Sequence, residues 1–127
     1  MNPMSGYIEL KMGDTTLPFK FGSNAYGLFC AMHGLEFWQL SESGVFGRTD
    51  DKGELISIPD FGKLRDLFFC AHQSAMRSKG ESEMINLYAF GDLLDETEGA
   101  VTRLQEAMMS ARMMGFELGS VTEVKKK

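Results

Sequence analysis

Few residues of this 127-residue chain have the types and spacing for chemistry. Cys30 and His33 lie one helical turn apart, and Cys70 and His72 lie two positions apart, which together make the ligand count of a zinc site. On a helix, however, positions 70 and 72 point roughly 200° apart, so one ion cannot easily take both. Small buried thiols and surface histidines are the simpler expectation. These are also the only two histidines, and no Ser-His-acid order can be assembled around them; a nucleophilic cysteine helped by a histidine is the residual catalytic case. Asp92, Asp95, Glu96 and Glu98 crowd together but lack the alternation and closing Glu of a calcium loop, so they read as a solvated helix end followed by a helix start. The run GSNAYG at 22–27 has neither the P-loop lysine nor the Rossmann glycine spacing. The expectation is a protein with no catalytic residues, no metal ligands and no cofactor, and so not an enzyme.

What remains is soft apolar surface. Ten methionines are the one unusual figure in the composition. Met108 lies in the apolar stripe of the last helix, Met109, Met113 and Met114 widen that stripe beyond one face, and Phe116 follows just after it. Methionine fills irregular core gaps, and it also makes adaptable surfaces that re-pack around a partner helix. Those five residues are the expected partner-binding set.

The totals bound the rest. A chain of this length makes one domain, here taken as 1–127, with a core that needs no staples. Hydrophobic content of 43% and charged content of 24% are those of a soluble globular protein. A net charge of -5 argues against a general nucleic-acid binder, which would show a basic face. No apolar run approaches the roughly 20 residues of a membrane span. The opening MNPMSGYIEL lacks the pattern of a secretory signal, and two cysteines are too few for a disulfide framework, so a cytoplasmic compartment is expected.

The elements that must position these residues begin with a period-two stretch at 6–21. Ile8, Leu10 and Met12 alternate with polar neighbours, as do Leu17, Phe19 and Phe21, and Gly13-Asp14 is a two-residue turn of the type II′ kind. That turn sets Leu10 opposite Leu17, Ile8 opposite Phe19 and Tyr7 opposite Lys20, so turn and alternation agree. A helical body is expected over 22–115. Its first helix runs from Ser23 or Asn24 to His33, stopped by Gly34, with a stripe of Ala25, Leu28, Phe29 and Met32. LEFWQL at 35–40 reads as a further helical turn anchored by Phe37, Trp38 and Leu40. Residues 41–54 read as an exposed loop, with a second small hairpin turning across 50–53 as the alternative.

The central helix is expected at 61–77, with Phe61, Leu64, Leu67, Phe68, Ala71 and Ala75 on its main face. Ser57 and Asp60 have capping-box spacing before it, Pro59 fits its first turn, and Gly80 ends it. A helix starting at Ser82 or Asn86 carries Leu87, Phe90, Leu93 and Leu94. The last helix is expected at about 97–114 with Val101, Leu104, Met108 and Ala111 as its stripe, Gly115 as its stop and a frayed tail at 116–127. The fold class is therefore α+β, mainly α: an N-terminal two-stranded antiparallel hairpin packed on a bundle of about four helices.

This layout resembles a known family. A hairpin YIELKMGDTTLPFKF leads straight into SNAYGLFCAMHG and LEFWQL, followed after a loop by DFGKLRDLFFCAH and a shorter helix ending DLLDE. That order is similar to the tail assembly chaperones of long-tailed bacteriophages and related prophages, over about residues 7–96. The resemblance implies a non-catalytic protein of the host bacterium's cytoplasm, absent from the mature virion, possible as a homo-oligomer. It implies the tape measure protein and the tail-tube protein as partners, with no nucleic acid and no membrane. It also implies a second, longer product made by frameshifting, of which Lys125-Lys126-Lys127 would be the translated trace. The competing expectation is a small bacterial regulatory or immunity-type module that binds one folded protein.

Overall fold

In a computed structural model of the chain, which describes residues 5–45, 48–49, 51–52, 54–57, 60–81, 85–114 and 116–117, the alternating stretch folds as a hairpin. Strand β1 (Tyr7–Met12) pairs antiparallel with β2 (Thr15–Lys20), and Leu10 faces Leu17, Ile8 faces Phe19 and Tyr7 faces Lys20. Gly13 has φ +66° and Asp14 has no positive φ, so only the first central residue is left-handed, as a type II′ turn requires. Leu10, Met12, Leu17 and Phe19 are buried on one face and Ile8 packs at its margin.

Helix α1 (Ser23–His33) ends at Gly34, whose φ of +65° lets its amide reach the Cys30 carbonyl. It buries Ala25, Tyr26, Phe29 and Cys30, whereas Leu28 is half-buried and Met32 faces outward. The expected stripe is thus rotated. Residues 25–32 are apolar almost all round the helix, so periodicity cannot set the phase, and packing against the next long helix sets it instead. A 3-10 helix (Phe37–Glu42) follows, with the Glu36 amide donating to Gln39 Oε1 at 2.8 Å. Only Leu40 of its three expected anchors is buried; Phe37 and Trp38 lie at the surface. One short turn has a single inner face, and Leu35 and Leu40 occupy it. Strands β3 (Arg48–Thr49) and β4 (Leu55–Ser57) then form the second small hairpin, with an irregular register.

Helix α2 (Phe61–Ser78) is the centre of the core. Its N-cap is Asp60, whose side chain accepts from the Lys63 amide at 3.0 Å, so the cap lies three positions after the Ser57 expected to open a capping box; Ser57 belongs to β4, and Pro59 lies outside the described residues. Val45 is buried beside this start, where the Asp60 amide donates to the Gly44 carbonyl (2.8 Å) and Lys63 Nζ to the Ser43 carbonyl (2.7 Å). At the far end Gly80 (φ +77°) donates to Arg77 and Glu81 donates to Met76, the paired bonds of a Schellman motif. Residues Leu64, Leu67, Phe68, Phe69, Cys70, Ala71 and Ala75 are buried between α1 on one flank and β2 on the other.

Helix α3 (Leu87–Glu96) starts at Asn86, the second of the two expected positions, whose Oδ1 accepts from the Ala89 amide at 2.8 Å. Helix α4 (Ala100–Met109) is shorter than expected. Ser110 Oγ donates to the Ala107 carbonyl, competing with the helical ladder, and Ala111 turns away to be buried against Gly6. The chain then forms β5 (Arg112–Met113), paired with β6 (Phe116–Glu117). Gly115 and residues 118–127, with the three lysines, lie outside the described residues. The architecture is mainly α, a two-stranded hairpin on four helices, and no helix among the described residues is long and apolar enough to cross a membrane.

Two substitutions probe this core. Leu64→Ala or Phe68→Ala should cost roughly 2–5 kcal/mol in denaturant unfolding, the range for a cavity opened in a packed interior. Gly6→Ala should cost about 1–3 kcal/mol, because a Cβ there would sit 2.6 Å from the Phe21 carbonyl oxygen and 2.8 Å from Ala111 Cβ at a φ of +76°. A Gly6→Ala protein as stable as the wild type would mean that Gly6 does not meet Phe21 and Ala111 as described.

Candidate functional site

The residues with chemistry in their side chains are used to hold the fold. His33 Nε2 donates to Asp66 Oδ2 at 2.9 Å, and Arg65 Nε and Nη2 both donate to Asp66 Oδ1 at 3.0 and 2.8 Å. Asp66 is buried, so this cluster supplies the partners its carboxylate needs and ties the last turn of α1 to the first turns of α2. His72 is fully buried. Its Nδ1 donates to the Pro18 carbonyl at 2.9 Å, and its ring lies among Phe19, Phe69 and Phe90 at centroid distances of 5.7, 6.4 and 6.5 Å. The expected surface histidines are therefore corrected: His33 is half-buried and His72 is core. Among the described residues, no three His, Cys, Asp or Glu side chains gather as a metal ion would require.

Both thiols are free and buried. Burial raises the pKa of Cys30, and the nearby Glu36 charge raises it further. Burial likewise pushes the Cys70 thiol up to about 12, with Asp66 and Cys30 adding to the shift. An activated nucleophile needs the opposite, a lowered pKa beside a cation. The same burial raises the pKa of the Tyr26 hydroxyl.

Open surface is found where α2, α3 and α4 meet. A groove of about 380 Å³ runs between Phe61, Leu64 and Phe68 of α2, Tyr88 and Leu94 of α3, and Val101 of α4. Phe61 and Tyr88 are large, apolar in body and mostly in solvent, 68% and 76% exposed. Helical spacing explains the lining: 61, 64 and 68 fall on one face of α2, as do 88, 91 and 95 on α3. Gly91 lets the Arg65 stem lie across α3, since a Cβ there would be 3.2 Å from Arg65 Cδ. The guanidinium thereby stands over the Tyr88 ring, 5.9 Å from its centroid. Asp92 and Asp95 line the same groove. A second, more polar hollow of about 430 Å³ lies between the first turns of α1 and the last turn of α2, lined by Ser23, Asn24, Ser74 and Arg77.

The chain matches no protein-family model, no curated protein and no solved structure.

The five residues expected to bind a partner are spread over different environments. Met108 is in the core, and Met113 is half-buried against it. Met109 is exposed on α4, and Met114 is exposed in the turn after β5, with a left-handed φ of +53°. The Phe116 backbone pairs with Met113. The short α4 is the reason: it ends at Met109, so Met113 and Met114 lie beyond it and do not broaden the apolar stripe of one helix as expected. Sequence reasoning missed the groove. It placed Phe61 on the core face and did not single out Tyr88, although Tyr88 stands off the stripe of Leu87, Phe90 and Leu94.

The raised pKa values set a pH dependence. A cysteine in the unfolded chain loses its proton near pH 8.5, well before the folded Cys70 does. Above that pH the unfolded state therefore binds fewer protons, and stability that is full below it is lost as pH rises towards 12. Urea midpoints should fall between pH 8 and pH 10.5, and Cys70→Ala should make that fall shallower. An unchanged slope in Cys70→Ala would show that the thiol ionises alike in both states.

Proposed function

We propose that this chain is a non-catalytic tail assembly chaperone of a long-tailed bacteriophage or prophage, holding helical segments of the tape measure protein. The observation that carries the reading is the groove between α2, α3 and α4, where Phe61, Tyr88 and Val101 present apolar surface to solvent at the edge of a complete core. The core does not require these side chains outside it, and a groove flanked by helices suits the apolar face of another helix. The raised thiol pKa values and the structural engagement of both histidines support a binding role over a catalytic one. The order of hairpin and helices supports the family. The host cytoplasm, the tail-tube protein as a further partner and absence from the finished virion belong to the same proposal.

Co-expressed with the tape measure protein of its own genome, the chain should keep that client soluble. The double variant Phe61→Gln, Val101→Gln should weaken capture about tenfold or more, the loss expected when a buried aromatic contact worth roughly 1.5–3 kcal/mol is removed. Its thermal midpoint should stay close to that of the wild type, because both side chains lie at the surface. A client equally soluble with wild type and variant, or insoluble with both, would count against the proposal.

A second reading, a module binding one folded protein, is favoured by a different place. Phe37 and Trp38 stand exposed on the 3-10 helix, and aromatic anchors of that kind dominate flat protein interfaces.

A further inference from the structure

The charges of the groove point to the kind of helix it accepts, an inference that rests on reading the groove as a client site. Arg65 is the one cation among its lining residues, and it is already engaged. Two of its nitrogens donate to Asp66 Oδ1, and its guanidinium covers Tyr88. Asp92 and Asp95 are exposed, three positions apart on α3, and have no hydrogen-bond or ion-pair partner among the described residues. They stand towards the C-terminal end of α3, where the helix dipole is negative and the last turn holds no basic residue. Neither one caps the helix: the Thr97 hydroxyl takes the Leu93 carbonyl at 2.7 Å, and Asn86 caps the other end. Two like charges facing the negative end of a dipole weaken the free protein slightly and gain nothing inside it. A cation brought by a partner would compensate both.

We propose that the groove binds an amphipathic helix that sets its apolar ridge against Phe61, Tyr88 and Val101 and lays Lys or Arg along its flank against Asp92 and Asp95. The two recognition elements are separable. Apolar contact supplies most of the affinity, while the carboxylates discriminate among helices by charge and act more weakly as salt screens them.

The test uses the full chain and three synthetic amphipathic helices that share one leucine face and carry Lys, Gln or Glu on the polar flank, followed by fluorescence anisotropy. The Lys peptide should bind the wild type about tenfold more tightly than the Gln peptide at low salt, with the gap closing as salt is raised. The Glu peptide should bind most weakly. In Asp92→Lys, Asp95→Lys the order should invert, and Asp92→Asn, Asp95→Asn should abolish the preference while leaving the thermal midpoint equal or higher. Equal binding of the Lys and Gln peptides by the wild type would overturn the charge preference and leave the groove reading standing. Failure of all three to bind would overturn both, as would undiminished Lys-peptide binding by Phe61→Gln, Val101→Gln, which would place binding outside the groove. Sedimentation of the chain alone as a dimer that this double variant dissociates would identify the occupant as a second copy and overturn the proposal.

Discussion

The structure depends on the burial of α2 along most of its length. A helix sunk between two flanks takes polar side chains inside, and α2 takes in Asp66, His72 and Ser74; the Asp66 carboxylate and His72 Nδ1 are partnered, whereas His72 Nε2 and Ser74 Oγ have no partner among the described residues. Asp66 is met by His33 of α1 and by its own neighbour Arg65, which anchors the end of one helix to the beginning of the other and makes the pair antiparallel. His72 is met by a carbonyl of β2, and the residue that supplies it is Pro18. A proline has no amide to give a sheet, yet its carbonyl remains an acceptor, and here it receives a helix side chain. The two polar ties therefore place the two flanks, and the aromatic rings around His72 fill the space between them. Phe61, in the first turn of α2 and ahead of the buried run that begins at Leu64, is apolar, helical and exposed.

How much of this was legible in the sequence follows from how many independent signals each element carried. The hairpin carried two, a turn and an alternation that agree, and its register is the one observed. The limits of α2 were nearly as clear, because Gly80 and Asp60 mark them with specific backbone chemistry. Phase was less clear wherever a helix is apolar on several sides. In α1 either Leu28 with Met32 or Tyr26 with Cys30 could complete the stripe, and the face offered by α2 chose the second pair. The end of α4 was not legible at all. Residues 108–114 have a helical pattern, and what breaks it is a tertiary contact between Ala111 and Gly6, about a hundred positions away in sequence.

The groove was illegible for a related reason. Its walls come from three helices, and no local pattern links Phe61, Tyr88 and Val101. Each was assigned to a stripe, or passed over, by its neighbours in sequence, whereas exposure is decided by neighbours in space. The methionines illustrate the converse. Their composition was the loudest signal in the chain, but composition does not say which side chains share a face, and α4 ends before they can.

The same geometry separates stability from recognition. Asp66, His72 and the buried thiols lie inside the core on α1 and α2, with Asp66 held by His33 and Arg65 and His72 by the Pro18 carbonyl. Phe61, Tyr88 and Val101 are exposed at the margin of that core, while Leu64 and Phe68, which also line the groove, belong to it. Polar replacement at Phe61 or Val101 exchanges solvent-exposed apolar surface for polar surface and leaves the packed interior as it was. A protein that must recognise a particular helix gains from this arrangement, since its recognition surface can change with its client while the fold is carried by other residues. The cation that could have neutralised Asp92 and Asp95 shows how the division is kept: Arg65 is drawn down to Asp66 to complete the core, and the acids above it are left to face whatever enters the groove.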